Sequence, residues 1–289
     1  MQYSKPKIGF VGQGYVGKNY ADYFESVGYQ LVRYSLEEKY RTNKANIETC
    51  DVVFIAVPTP TTPEGFDASN IHEALTLVGK RKVAVIKSTI IPGTTEKLQE
   101  QYPDITILYS PEFLSESTAF EDVIHPTSSI VGLGLETPEH RRNAEQVLTL
   151  MPTAPFSLIC TSTEAEIIKY THNVNGYLQV VFFNVMHDLA TKFGCNWEVI
   201  AESVKADPFM NDRYAQPVHQ NGRGAGGNCF VKDFAAFQKL YAETLPDSDL
   251  AHQLLDAVAK KNIELLRGSG KSLHILKQVY GEDIVNEAT

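Results

Sequence analysis

The chain has 289 residues, 43% hydrophobic and 21% charged, the balance of an ordinary globular protein, and no run of about 18 apolar residues marks a membrane span. A formal net charge of −9 argues against a general nucleic-acid binder, which carries a basic face, but leaves room for a small anionic substrate held by local cations. Cys50, Cys160, Cys195 and Cys229 lie far apart, with no C-x-x-C pair and no His/Cys cluster, so neither a metal site nor a disulfide framework is expected, and a reducing cytoplasm is the default.

The first residues, MQYSKPKIGF, lead almost directly into a strand pattern and have no signal-peptide layout. KIGFVG (7–12) reads as a buried strand, YVGKNYADYFESVG as a helix closed by Gly28, and QLVRYS as the next strand. DVVFIAVP (51–58) and KVAVIKST (82–89) are continuous β-branched runs, the mark of strands covered on both faces. SNIHEALTLVGK between them has helical spacing, and ITILYSPE and SSIVGLG are two further strands. Strands interleaved with helices predict a doubly wound, Rossmann-like, mostly parallel sheet over residues 1–160. From 161 to 289 the pattern is all-helical. It opens with one long helix from Thr163 to Phe193, whose second half is apolar on nearly all sides and is expected to be buried, against a second copy of the chain. A glycine-rich loop around 221–228 interrupts the later helices, and the tail GEDIVNEAT is expected to fray.

GFVGQGYVG holds G-x-G-x-x-G at Gly12, Gly14 and Gly17, after a strand and at the start of a helix. In that context the glycines give a tight turn and close backbone approach, and the helix start faces a dinucleotide pyrophosphate. The tip of the second strand, where an acid for the adenosine ribose is usual, carries Ser35, or Tyr34 in a shifted register, with Arg33 beside it. That arrangement tolerates a 2′-phosphate and keeps NADP as an alternative to NAD, unless Glu37 or Glu38 supplies the acid.

GQGYVG, VPTP (57–60), STIIPGTT (88–95), SPEFLSES (110–117), EAEIIKYTHN (164–173) and GGNCFVKD (226–233) occur in one order. In this set the sequence resembles the UDP-glucose/GDP-mannose dehydrogenase family along essentially its whole length. Members of that family continue into a third α/β domain that helps hold the nucleotide, and this sequence does not contain it. Further departures are Val231 where the family has proline, Ser115 and Phe209 where it has arginine, and a longer loop before the cysteine. They fall on substrate-side features and put substrate identity in question more than chemistry.

The resemblance implies a two-step, NAD-dependent oxidation of a hexose C6 primary alcohol to a carboxylate, with UDP-glucose to UDP-glucuronate as the expected case. The second step needs a covalent handle: a thiolate adds to the aldehyde, and the thiohemiacetal can lose a second hydride to give a hydrolysable thioester. Cys229, at a helix start after glycines and near Lys232, has the setting of that nucleophile, against the alternative of a small buried hydrophobe; the other three cysteines read as structural. Asp233 lies one helical turn on and can face the thiol or a water. Lys169 and Asn173, spaced i and i+4 on the long helix, share a face and can steady an alkoxide or oxyanion.

Thr89, at a strand end, is by position alone equally a strand cap or a ligand for water or cofactor. Without the resemblance Glu112 and Glu116 are solvated loop acids; with it they lie near the reacting carbon and the cofactor, one carboxylate activating the hydrolytic water. The resemblance also places Tyr15, Val16, Ser35, Thr59 and Lys232 against the cofactor, and Phe113, Leu114, Tyr214 and Gly226 against the substrate. Arg213 and Arg223, flanking the loop from Gln216 to Gly226, are phosphate partners or exposed surface, and His172 is read as structural. A homodimer through the central helices is expected, with no metal, nucleic acid or membrane. Two other readings stay open: a single-step NAD(P)-dependent alcohol or hydroxyacid dehydrogenase, and a dinucleotide-binding protein without catalysis.

Overall fold

The computed structural model describes residues 5–285. In chain order the elements are β1 (Ile8–Val11), α1 (Tyr15–Ser26), β2 (Leu31–Tyr34), α2 (Glu38–Arg41), β3 (Val52–Ile55), β4 (Thr61–Thr62), β5 (Gly65–Phe66) and α3 (Ser69–Leu75). Next come β6 (Val83–Ile86), α4 (Thr94–Gln101), β7 (Thr106–Tyr109), α5 (Ala119–Ile124), β8 (Ser128–Leu133), α6 (Pro138–Leu150) and β9 (Phe156–Thr161). The remainder is α7 (Ser162–Lys192), α8 (Trp197–Ala206), β10 (Val218–His219), β11 (Gly222–Arg223), α9 (Gly227–Thr244), α10 (Asp249–Ser269) and α11 (Leu273–Tyr280). Two compact units result: 5–59 with 67–169, and 60–66 with 170–285.

The first unit is built on a seven-stranded sheet of order β2-β1-β3-β6-β7-β8-β9. Every pair is parallel except β7 with β8. The four residues of each of β1, β3, β6 and β7 are all buried, which is why these strands read as unbroken apolar runs rather than alternating ones. Phe10, Phe24 and Phe54 meet at its centre, the rings of Phe10 and Phe54 stacked at 5.1 Å. Chain order reverses between β1 and β3, so the crevice at their carboxyl ends is the topological switch point. The turn of Gly12 to Gly14, Thr59, Lys87 to Thr89 and Ser110 to Glu112 all follow strands that end on this edge. The segment 110–127 leaves β7 and returns to β8 without crossing the sheet, which is why that pair is antiparallel.

The second unit is helical, as the sequence pattern predicts. Tyr177 and Phe234 stack at 4.0 Å and pack α7 against α9, joined by Val181, Ala225, Leu255 and Ala259. A second cluster gathers Phe183 and Ala190 of α7 with Trp197, Ala201 and Val204 of α8. The β4–β5 hairpin, 60–66, belongs to this unit, and its Glu64 carbonyl accepts a hydrogen bond from Lys239 of α9. In the second half of the long helix, Leu178, Phe182, Val185, Met186, Leu189 and Phe193 are exposed in the single chain. The first part of the tail is packed rather than frayed, Ile284 and Val285 lying with Tyr280 on the cluster of Val231, Leu266 and Leu276. The remainder of that tail lies outside the described residues. Among the described residues no helix is long and apolar enough to cross a membrane.

Candidate active site

The turn after β1 separates its three glycines by what each must fit. Gly12 has φ +94°, and a Cβ there would come within 2.1 Å of the Ala56 carbonyl oxygen. A Cβ on Gly17 would meet the Gly12 carbonyl oxygen at the same 2.1 Å. Both are glycine because the protein packs against itself there. Gly14 has φ −66° and would meet nothing within 4 Å, so the fold does not demand a glycine at this position. It is also the N-cap of α1, with no side-chain cap and no acid in the first helical turn. Open approach and uncapped N–H groups are what a pyrophosphate needs, so the residues present fit a dinucleotide.

Further along the sheet edge, Ser88 Oγ accepts from Val57 N at 2.9 Å and donates to the Val57 carbonyl, while Thr59 Oγ1 donates to the Thr89 carbonyl at 2.7 Å. The loops after β3 and β6 are thus stitched together, and Thr89 is held, largely buried, at the strand end. Beyond β7, Glu112 is 5% exposed and Lys169 of α7 is 3% exposed. Lys169 Nζ donates to the Glu112 carbonyl oxygen and, at 3.1 Å, to its Oε1. Leu114 N donates to the other carboxylate oxygen, and the lysine stands 5.4 Å over the Phe113 ring. A lysine on an apolar helix has therefore reached a buried carboxylate rather than water.

In the second unit Gly226 is the N-cap of α9, again without a side-chain cap or first-turn acid, and Cys229 lies in that first turn, half-buried. Amide N–H groups at a helix start favour a thiolate. One turn on, Asp233 is 2% exposed, with Oδ2 accepting from Asn173 Nδ2 at 2.6 Å and Oδ1 paired with Lys232 at 2.5 Å. Tyr214 packs edge-on against Phe230, ring centroids 5.5 Å apart, over Gly176 of α7, where a Cβ would collide with Phe230 at 2.8 Å.

Two family models match the sequence: the NAD binding domain of the UDP-glucose/GDP-mannose dehydrogenase family over residues 31–150 and the central domain of the same family over 163–264. The chain belongs to the UDP-glucose/GDP-mannose dehydrogenase family. Similar relatives include the UDP-glucose 6-dehydrogenase of Rhizobium meliloti (strain 1021), 29% identical over 80% of this chain and 54% of that one. The enzyme of the same name from Streptococcus pneumoniae is 28% identical over 89% of this chain and 72% of that one. Among solved structures, a UDP-glucose dehydrogenase from Pyrobaculum islandicum superimposes with a TM-score of 0.77 at 24% identity, covering 97% of this chain and 72% of that chain. The chain spans about half the length of several of the curated relatives it matches. The first unit is the family's NAD-binding domain.

Several expected site residues of this family member have partners within the chain. Arg33, the basis for considering NADP, turns back from β2 onto α1, where it binds Asp22 at 2.7 Å and Glu25 at 2.7 Å and is 8% exposed. Ser35 sits at the strand tip, its Oγ accepting from Glu37 N. Val16 packs on the first unit's core, while the Tyr15 carbonyl accepts from Asn19. Thr59 spends its hydroxyl on Thr89, and Lys232 spends its ammonium on Asp233 rather than standing alone beside Cys229. Glu116 is exposed. Arg223 binds Asn184 and Asp188 of α7, so it anchors the hairpin, and exposed Arg213 lies 5.8 Å over the Tyr214 ring. At Gly226 a Cβ would come within 2.6 Å of the Ser272 hydroxyl oxygen, so a larger residue there would have to move that side chain. Burial pushes the Cys50 thiol up and the Cys160 thiol up to about 11, which keeps both inert at neutral pH.

Among the described residues, two buried charged side chains that the sequence motifs did not single out are Glu166 and Lys87. Glu166 is fully buried on α7 and accepts from Gly93 N, Thr95 N and Thr95 Oγ1, capping α4. Lys87 is 2% exposed at the end of β6. For the lysine the signal was available, a charge at the end of the apolar run VAVIK (83–87), whereas Glu166 stands among the other charges of EAEIIKY.

Proposed function

We propose that this protein oxidises the C6 primary alcohol of a nucleotide hexose to a carboxylate in two NAD-dependent steps, UDP-glucose to UDP-glucuronate, with Cys229 carrying the intermediate. The observation that supports this reading most directly is Cys229 in the uncapped first turn of α9, with Asp233 one turn on, held from α7 by Asn173. The Gly12–Gly17 turn and the start of α1 would hold the pyrophosphate of NAD, which takes up a hydride in each oxidation.

As the alcohol loses its proton and hydride, the buried Lys169 ammonium offsets the alkoxide charge. The Cys229 thiolate then forms a C–S bond with the aldehyde carbon, whose oxygen takes up a proton. The resulting thiohemiacetal keeps one C–H bond, and loss of that hydride and the hydroxyl proton leaves a thioester. Water, its proton accepted by Glu112, adds to the thioester carbon; the C–S bond breaks and the sulfur leaves as the thiolate. We further place the protein in the cytoplasm as a homodimer joined through α7.

The reading is tested with a panel of nucleotide sugars and NAD or NADP, counting reduced cofactor per substrate consumed. A ratio of two fits the double oxidation. A ratio of one overturns it in favour of a single-step dehydrogenase, and no reduction at all favours a binding protein. The single-step reading has one observation behind it. A 3-hydroxyisobutyrate dehydrogenase from Mycobacterium tuberculosis shares the fold over 91% of this chain and 96% of that one, at 15% identity and a TM-score of 0.67. That likeness concerns fold alone, and Cys229 in its helix-start setting weighs against it.

A further inference from the structure

The reaction above makes no use of Lys87, although it is the most deeply buried lysine of the sheet edge. Its Nζ donates to the Ser110 carbonyl oxygen at 3.2 Å and contacts the Ser110 hydroxyl at 3.1 Å, and it lies 4.3 Å over the Tyr20 ring of α1. Among the described residues no carboxylate comes within ion-pair distance of it. A buried ammonium with only neutral partners is costly, and a fold that needed mere filling at this point would carry an apolar side chain.

The placement shows what the charge reaches. Lys87 holds the carbonyl of Ser110, and Lys169 holds the carbonyl of Glu112 two residues later. Two lysines from two elements, the end of β6 and α7, thus grip one tripeptide, Ser110-Pro111-Glu112, by its backbone. We infer that Lys87 is a positioning residue for Glu112: it fixes the segment that presents this carboxylate and sets a second positive charge near it besides Lys169. The assignment rests on the proposed role of Glu112 as the base that accepts the proton of the hydrolytic water.

The charged and titratable groups around Lys87 are Glu112 on the same edge, Lys169 from α7 and the Tyr20 phenol from α1. Burial pushes Lys87 down to about 7, Glu112 pulls it back up and Lys169 lowers it further. Burial, with the negative charge of Glu112, pushes the Tyr20 phenol well above its ordinary range, so it stays neutral.

The experiment follows the Glu112 carboxyl by 13C NMR through a pH titration of the full chain, in the parent, Lys87→Met and Lys87→Arg. Lys87→Met keeps the length and removes the charge; the Glu112 midpoint rises by about half a unit or more, and Lys87→Arg restores it. In kcat/KM the acid limb moves to higher pH by the same amount in Lys87→Met. A folded Lys87→Met with an unchanged Glu112 midpoint overturns the inference. Should Lys87→Met fail to fold, the reciprocal measurement decides: the Lys87 13Cε midpoint falls in Glu112→Gln, and an unmoved midpoint overturns the inference. A parent chain that reduces no cofactor would defeat the proposed reaction, while the two titrations would still decide whether Lys87 governs Glu112.

Discussion

Asn173 on α7 donates from Nδ2 to Oδ2 of Asp233 on α9 at 2.6 Å, and Asp233 is 2% exposed. The pair places a turn of the long helix beside the helix that opens at Cys229. It also uses one of the N–H donors of Asn173, so this side chain has a structural task besides any contact with substrate.

Removing that donor leaves a buried carboxylate oxygen without its partner. Asn173→Ala is expected to cost about 1–3 kcal/mol of stability, read from the urea midpoint. Asn173→Asp sets two carboxylates together and costs more at pH 8 than at pH 5, because protonating one of them relieves the repulsion. An unchanged midpoint in Asn173→Ala means that the bond does not hold the two helices.

Cys229→Ser preserves size and removes the thiolate. Cofactor affinity is expected to stay within about twofold of the parent, while acid production from the sugar falls by about a hundredfold or more. Isothermal titration reads the first quantity and product analysis the second. Undiminished acid production would eliminate the covalent route.

The sheet was legible because β1, β3, β6 and β7 are buried on both faces and therefore written as largely apolar runs without alternation. The placement of Lys169 and Asn173 on one helix and of Cys229 at a helix start was legible because i, i+4 spacing and a glycine approach are local signals. Partnerships between distant positions were not. Nothing near Arg33 in sequence shows that it turns back to Asp22 and Glu25, and nothing near residues 60–66 assigns that hairpin to the helical unit. The tie from Asn173 to Asp233 spans 60 positions, with only its helical end points visible. Lys87 was visible but read past, since strand periodicity draws attention to the apolar residues around it.

The glycine turn separates binding from folding. Gly14→Val meets no protein atom within 4 Å of its Cβ and keeps an extended backbone, so the thermal midpoint should move by no more than about 2 °C. Its branched side chain occupies the approach to the start of α1, and NAD affinity is expected to fall by about tenfold or more. Gly17→Ala, with its Cβ 2.1 Å from the Gly12 carbonyl oxygen, should instead lose about 1–3 kcal/mol of stability. Equal loss of stability in both variants would show that Gly14 serves the fold after all.

The stripe of Leu178, Phe182, Val185, Met186, Leu189 and Phe193 follows helical spacing along α7 and is exposed in the single chain. If two chains meet there, sedimentation over a concentration series shows a dimer for the parent and a monomer for Phe182→Glu, which sets a carboxylate in the middle of the apolar face. A parent that stays monomeric at every concentration excludes the proposed dimer.

Glu166 gives the protein a pH dependence of definite sign. Burial, its main cause, with a smaller push from Glu96, raises this carboxyl from its ordinary 4.5 to about 7, against the pull of the bonds from Thr95 and Gly93. The folded chain therefore binds this proton more tightly than the unfolded chain does. Its contribution to stability is fully present below pH 4.5 and is lost as pH rises through about 7, a change of roughly 3 kcal/mol if the shift is carried entirely by folding. Lys87, pushed down to about 7, contributes with the opposite sign: its penalty is full below pH 7 and fades as pH rises toward 10.5. The useful quantity is consequently the difference between the parent and Glu166→Gln, measured by urea unfolding at half-unit steps from pH 5 to pH 8. The Gln variant loses part of the cap on α4 at every pH, since its amide group cannot accept from both Gly93 N and Thr95 N. The gap between the two proteins should nevertheless narrow steadily as pH rises, because only the parent carries a carboxylate that becomes harder to keep buried. A gap that stays constant across this range would mean that Glu166 is already ionised at pH 5, held there by its three donors.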